Sequence, residues 1–500
     1  MNPVVSTHPW IYPSRRACQD LLRHWPRLPL VCQKPVAGLD PALLFERLFR
    51  DDPSAFLLES GSPGPPNGRF SFMGAGTRRF LTADATGAHL FQGEKRLASG
   101  PVLEFLDRLD FDPHRPRLDY IGHFWGGWVG IIGYETARWL EPVSMRKTDD
   151  LNWPDLFLME TGPLIVYDHA RGLLKCIVEI QSGCSLTAAY PPALKTLENF
   201  WERIESALLE ITDVQAPAVR THPVGARRIS GMDSRSYEAM VRKAQAYIAE
   251  GDIYQANLAQ RMEVPFTGDP LALYRRLRSI NPSPFGGIIR TPHGTLVSSS
   301  PERLVEVKGS TIQTRPIAGT RPRGTTREED QELSSELLLN EKERAEHLML
   351  VDLERNDLGR LCQYGSVRVT DLMLVERYSH VQHIVSNIRG DLKPGVSLSG
   401  ILKAVFPGGT ITGCPKIRCM EIIEELEPHR RGPYCGSFGY IGRGPYLDLN
   451  IIIRTLLLKN QKAYFHVGAG IVADSDPPSE YRETLNKAAA LQAALALDDS

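Results

Sequence analysis

A chain of 500 residues and 55.8 kDa, 42% hydrophobic and 23% charged, has the composition of a folded globular protein and is long enough for about three ordinary cores. Lys plus Arg number 58 against 59 Asp plus Glu, a net charge of −1, so the chain lacks the basic surplus that nucleic acid or anionic lipid demands. Eight cysteines without a C-x-x-C pair speak against a zinc knuckle, a thioredoxin-type site and a disulfide framework; reduced thiols in a cytoplasmic enzyme are expected.

Residues 1–16 hold no apolar segment of signal-peptide type, and no run of about 18 apolar residues follows, so no membrane span is expected. Strands are predicted at 55–59, 128–134, 156–167 and 173–180, parted by turn clusters such as SGSPGPPNG (60–68). An amphipathic helix at 193–211 closes a first region, 1–212. Residues 213–229, rich in Pro and small polar residues, read as a linker, and 230–500 form the second region. There a helix is predicted at 234–250, strands at 254–264, 286–290 and 296–300, and one long charged helical segment at 327–352. Strands at 436–441, 448–458 and 463–472 and a last helix at 479–497 complete the chain. Strands and helices mix without a regular βαβ beat, which predicts an α+β fold with large, mostly antiparallel β-sheets rather than a Rossmann or TIM fold.

Several residues carry chemistry. Arg454 interrupts the apolar run DLNIIIRTLLL (448–458); a buried guanidinium needs an anion, either a ligand carboxylate or phosphate or an acidic side chain. In FPGGTITGCPK (406–416), Pro415 suits the first position of a helix over 415–427, whose free amides would face an anion or simply follow a glycine turn. Gly468, Ala469 and Gly470 follow a strand and could offer backbone N–H groups to a carboxylate. Glu343 and Glu346, and Glu480 and Glu483 with Lys487 a turn on, each share a helix face. Facing each other, the two pairs would hold Mg²⁺; apart, they are solvated faces with ion pairs. His380 and His383, three apart in a strand, point to opposite faces, so at most one enters a cleft. Glu302, directly after an apolar strand, reads as a general acid or a helix cap. The patches 321–323 and 429–431 read as solvated loops. Dinucleotide, P-loop, zinc-peptidase and nucleophile-elbow motifs are absent.

Taken in order, GDIYQANLAQR (251–261), NPSPF (281–285), SSSPERL (298–304), RPIAGTRPR (315–323), ERAEHLMLVDLERND (343–357), SHVQHIVS (379–386), FPGGTITGCPK (406–416), GPYCGSFGY (432–440), IIIRT (451–455) and GAGIVADS (468–475) resemble the chorismate-utilising enzymes. Within that family the likeness is to component I of aminodeoxychorismate synthase and of anthranilate synthase. It covers 230–500 closely and extends more loosely through FLLES (56–60), GRFSFMG (68–74) and GGWVGIIGYE (126–135). The resemblance implies a two-lobed sandwich flanked by helices. It implies Mg²⁺ held by Glu346 and Glu483, with Glu343 and Glu480 as neighbours. Arg454 and Tyr434 match the groups that hold the enolpyruvyl carboxylate, and Gly468, Ala469 and Gly470 match its backbone donors. Lys487 is placed with these binding residues. Glu302 matches the acid that helps the hydroxyl leave, His383 the histidine near the ring, and Thr410 a residue contacting the hydroxyl or ring region. Gln255 stands where water-using relatives carry a lysine base.

The product turns on Ala318. Aminodeoxychorismate synthases carry a lysine nucleophile there (PIKGT), whereas anthranilate synthases carry PIAGT, as does this chain. Yet YQANLAQR replaces an F-Q-V-V-L-type run, and PFGG, SPER and FPGG lean the same way, while ERYSH, RRGPY and GAGIVADSDPPSEY resemble anthranilate synthase. The resemblance therefore implies the PIAGT subclass of aminodeoxychorismate synthases, in which ammonia adds at ring C2 and again at C4; anthranilate synthase is the alternative. No amidotransferase elbow (G-x-C-x-G with a downstream His-x-Glu) occurs in the chain, so a separate glutamine amidotransferase subunit is the expected partner. Glu59, Ser60 and Pro282 match a tryptophan pocket of relatives, from which Phe285 and Gly286 depart.

Overall fold

The computed structural model describes residues 4–5, 10–22, 25–60, 68–118, 120–181, 185–213, 229–377 and 381–496. Most of the expected linker, 214–228, and His380 lie outside the described residues.

The strands pair antiparallel and branch from one trunk. Phe70–Asp84 and Leu156–Asp168 pair along most of their lengths. One arm leaves through Ala55–Glu59, Phe285–Thr291, Gly294–Ser300, Thr455–Lys459 and Lys462–Ile471 to Gln255–Pro265. The other leaves through Gly127–Ile132, Ser437–Gly442, Tyr446–Asn450, Arg303–Lys308 and Thr311–Arg315 to Val381–Asp391. Val381–Asp391 also receives Ile317–Pro322 and Arg368–Arg377. Each arm has its own core: Leu57, Ile288, Val297, Leu456 and Phe465 belong to the first, Val305, Ile312, Ile388, Leu447 and Leu449 to the second. Apolar burial of this extent is the main favourable term holding each arm closed. The two sequence regions share these arms, since Ala55–Glu59 lies beside Phe285–Thr291 and Gly127–Ile132 beside Ser437–Gly442.

The chain crosses between the arms at residues 301–302 and again at 451–454. The crossings are tied together: Ile451 N–H donates to the Glu302 carbonyl at 3.0 Å, and the Ser300 hydroxyl donates to the Ile451 carbonyl at 2.6 Å. The run 448–458 is thus two strands, Tyr446–Asn450 and Thr455–Lys459, rather than one. Arg454 ends the turn with φ of +50°, a backbone state that L-residues avoid unless the surroundings impose it.

The charged segment 327–352 is likewise two helices, Arg327–Leu339 and Glu341–Leu361. Asn340 breaks it: extended in backbone, it caps the second helix, its side chain accepting from Glu343 N–H at 3.0 Å. Pro415 is the cap residue, not the first turn, of Lys416–Leu426. The helix expected at 193–211 runs over Leu186–Asp213, lengthened because Leu186, Ala189 and Tyr190 pack on the first core. Pro477–Ala496 covers the strand Lys462–Ile471 and the helix Ser234–Ala249.

Candidate active site

The floor of the site is the end of the strand pair Gln255–Pro265 and Lys462–Ile471, where Asn257 faces Gly470 and Ala259 faces Gly468. Gln255 and Asn257, two apart, share a strand face. Their side chains lie across the two glycines. A Cβ at position 470 would stand 2.6 Å from Gln255 Nε2 and 3.9 Å from Glu346 Oε1. One at 468 would stand 2.7 Å from Asn257 Oδ1 and 2.9 Å from Tyr434 Oη. Glycine is therefore required where polar side chains fold over the strand. Ala469 turns to the other face and is fully buried.

Two helices bring carboxylates to this floor. Gln255 Nε2 donates to Glu346 Oε1 at 3.1 Å. Lys487 Nζ donates to the Gly468 carbonyl at 3.0 Å and pairs with Glu483 at 2.8 Å. Glu346 thus reaches Gly470, while Lys487 brings its partner Glu483 towards Gly468. Of their neighbours, Glu343 pairs with Arg321 at 3.2 Å. After burial, the charges of Glu480, Glu427 and Glu483 hold the Tyr237 hydroxyl above its ordinary pKa. Among the described residues no three His, Cys, Asp or Glu side chains gather into a protein-only metal cage. A single carboxylate from each of two helices suits a hard cation of the Mg²⁺ type, which keeps several oxygen positions for water and substrate.

The wall is built from the two crossings. Glu302 is 5% exposed, and its Oε1 is buried without a hydrogen-bond partner among the described residues. Burial pushes its carboxyl up to about 7, against the opposing pull of the Thr410 hydroxyl, the Ile317 backbone and the Arg454 guanidinium. Arg454 has no ion-pair partner within 4.0 Å among the described residues; burial lowers its pKa and Glu302 works against that fall. His383 is buried, with Nδ1 at 2.9 Å from the Thr320 hydroxyl and 3.2 Å from the Gly319 carbonyl. Burial first, then the charge of Arg454, brings it down to about 4, so it is neutral at pH 7. Tyr434 stacks on His466 at 4.8 Å with an 11° tilt. Ala318 lies in the strand Ile317–Pro322 opposite Ile384, two residues from Thr320 and beside the backbone that faces Glu302. Its methyl group is no nucleophile.

The structure brings Gln255, Glu302, Glu346, His383, Thr410, Tyr434, Arg454, Gly468, Gly470, Glu483 and Lys487 to one floor and wall. Glu59, Ser60 and Pro282 stand apart from it. There Gly286 pairs with Glu59, whose Oε1 accepts from the Tyr274 hydroxyl at 2.6 Å and from Arg278 at 2.8 Å.

Sequence reasoning missed Asn257, Glu354 and Arg431. Glu354 sits on the stripe Glu343, His347, Leu350, Glu354, Asp357, whose 4-3-4-3 spacing marks a core-facing helix side filled with polar groups. Burial, then the charges of Glu302 and Asp357, raise its carboxyl, while the Thr314 hydroxyl donates to it. Arg431, expected in a solvated loop, is 2% exposed. It pairs with Glu427 at 2.6 Å and donates to the Asn257 carbonyl at 2.7 Å and the Ile411 carbonyl at 3.0 Å. The signal was Glu427 four residues earlier, an i, i+4 partner.

Comparison with known proteins gives the same chemistry a family. Residues 40–493 match the family described as chorismate binding enzyme. An anthranilate synthase component I-like protein of Synechocystis sp. is 42% identical over 94% of this chain and 92% of its own. Aminodeoxychorismate synthase component 1 of Bacillus subtilis is 45% identical over 75% of this chain and 78% of its own. The crystal structure of anthranilate synthase component I from Streptococcus pneumoniae superposes with a TM-score of 0.73 at 35% identity, covering 86% of this chain and 93% of that one.

Proposed function

The chain belongs to the chorismate-binding enzymes, and from that membership we propose that it aminates chorismate, making 4-amino-4-deoxychorismate from chorismate and ammonia. One observation carries the reading: Glu302 and Arg454 meet where the chain crosses between arms. A carboxyl half-protonated near pH 7 stands beside a guanidinium that has no ion-pair partner within 4.0 Å among the described residues.

Chorismate is a dianion with an allylic hydroxyl. Arg454 and Tyr434 take the enolpyruvyl carboxylate, with the backbone of 468–470 beneath it and Lys487 at its edge. Mg²⁺, held by Glu346 and Glu483 when bound, would grip the ring carboxylate and draw charge from the ring. Ammonia attacks C2, the ring double bond shifts, and the C4 hydroxyl leaves with the proton of Glu302 as water. The surplus proton of the new ammonium group returns to Glu302. The C2 amine then takes the proton of Glu302 and departs as ammonia while a second ammonia attacks C4 and the ring double bond shifts back; the C4 ammonium returns a proton to Glu302, so one ammonia is consumed and one water released. Ala318 forms no adduct in this sequence. His383 stays neutral beside the ring, and Thr410 contacts the departing hydroxyl. Gln255, its amide committed to Glu346, is no base for water, which disfavours hydroxylation. Ammonia would come from a separate glutamine amidotransferase subunit.

Ala318 and the anthranilate synthase relatives favour a second reading, anthranilate plus pyruvate from the same first intermediate. Both readings share one test. Chorismate should disappear when ammonium and Mg²⁺ are both supplied, and persist when either is withheld. Chorismate left untouched in the complete mixture overturns both.

A further inference from the structure

Asn257 has a polar atom without an internal purpose. Its backbone is fully used: the N–H donates to the Thr412 carbonyl at 2.9 Å, and the carbonyl accepts from Arg431 at 2.7 Å. The side chain is different. Oδ1 is buried with no hydrogen-bond partner among the described residues. It stands over Gly468, and both it and Tyr434 Oη lie within 3 Å of one point above that glycine. The residue as a whole is half-buried, so the carboxamide edges the cleft rather than the core. Buried polar atoms are normally satisfied, and an exception in a cleft marks a place where a ligand completes the bonding.

The neighbours say which part of a ligand. Tyr434 and the glycines surround the position assigned above to the enolpyruvyl carboxylate, while Gln255, two residues back on the same strand face, serves Glu346. Strand spacing sets these two side chains about 7 Å apart, so Gln255 serves the metal end and Asn257 the enolpyruvyl end. A carboxamide turned about its last bond presents N–H in place of C=O, and an N–H is what a carboxylate accepts from. The run here is Y-Q-A-N-L where the anthranilate-type run is F-Q-V-V-L, so an amide stands where that run has an apolar side chain.

We propose that Asn257 is a further substrate-contacting residue, its carboxamide holding the enolpyruvyl branch of chorismate beside Tyr434 and Gly468. This rests on the chorismate reading of the site. The test is equilibrium titration of the full chain with chorismate and Mg²⁺, ammonia withheld. Asn257→Leu, of the same shape, should bind chorismate at least tenfold more weakly than the parent chain. Asn257→Asp should bind more weakly still at pH 8 and recover as the pH falls and its carboxyl is neutralised, a pH dependence that a merely structural role would not give. Either variant binding within twofold of the parent at pH 8 overturns the assignment while leaving the chorismate reading intact. Failure of the parent chain to bind chorismate overturns both.

Discussion

Glu302 carries a conflict that defines the site. Its carboxyl is buried deeply enough to hold a proton near neutrality, yet it has no partner that stabilises the charged form fully. A rise from the ordinary 4.5 to about 7 corresponds to about 3 kcal/mol between protonation states. The direction is raised, so this stability penalty is absent below about pH 4.5, grows between there and 7, and is complete above 7. Function and stability therefore pull apart. Glu302→Gln should lower kcat at least 100-fold while leaving the midpoint of thermal unfolding at pH 8 unchanged or higher. The parent chain's kcat should fall as pH rises through about 7, as the acid form disappears, and the falling limb should vanish in the variant. A variant that keeps full turnover, or loses the fold with it, removes Glu302 from the acid role.

At the scale of elements, the strands read from alternation lie close to the observed ones, 55–59 and 173–180 within a residue of their ends, but Arg27–Ala37 and the trunk strand Phe70–Asp84 went unread. Local pattern also misreads the two segments where one residue breaks a periodic run. Asn340 ends one helix and caps the next, and Arg454 turns a strand back through a left-handed backbone. Both breaks depend on tertiary contacts, the first on docking of Glu341–Leu361 and the second on the bonds joining the crossings, which no local periodicity records. The glycines of the floor were legible as a motif but not as a physical need. That need lies in Gln255, Asn257 and Tyr434 folding across Lys462–Ile471. Gly470→Ala should push the flexible end of Gln255 off Glu346, lowering turnover at least tenfold and weakening Mg²⁺ activation. The unfolding midpoint should stay within a few degrees, because a side-chain tip and not backbone must move. Unchanged Mg²⁺ activation in that variant would separate Gln255 from the metal end.

For the whole molecule, the residues of the site come from both arms and from two separate helices, between positions 255 and 487. Spacing along the chain shows that Glu343 and Glu346 share a face; it does not show that Glu346 turns toward the floor and Glu343 toward Arg321. That follows from the bonds of Gln255 to Glu346 and of Arg321 to Glu343. Glu483 is half-exposed and its pair with Lys487 is a surface pair, worth little to stability. Glu483→Gln should therefore abolish Mg²⁺-dependent turnover and leave thermal unfolding unmoved. Retention of full Mg²⁺-activated turnover would place the cation elsewhere. The near-neutral charge of the chain fits an enzyme that gathers charge locally, at Arg454, Lys487 and the facing acids, rather than over its surface.

The product made by the purified chain from chorismate, ammonium and Mg²⁺, separated and weighed by mass spectrometry, bears most directly on the amination. The expected species is 4-amino-4-deoxychorismate with its enolpyruvyl group retained and no pyruvate in solution. Anthranilate fluorescence appearing together with free pyruvate, with no lyase added, would contradict it.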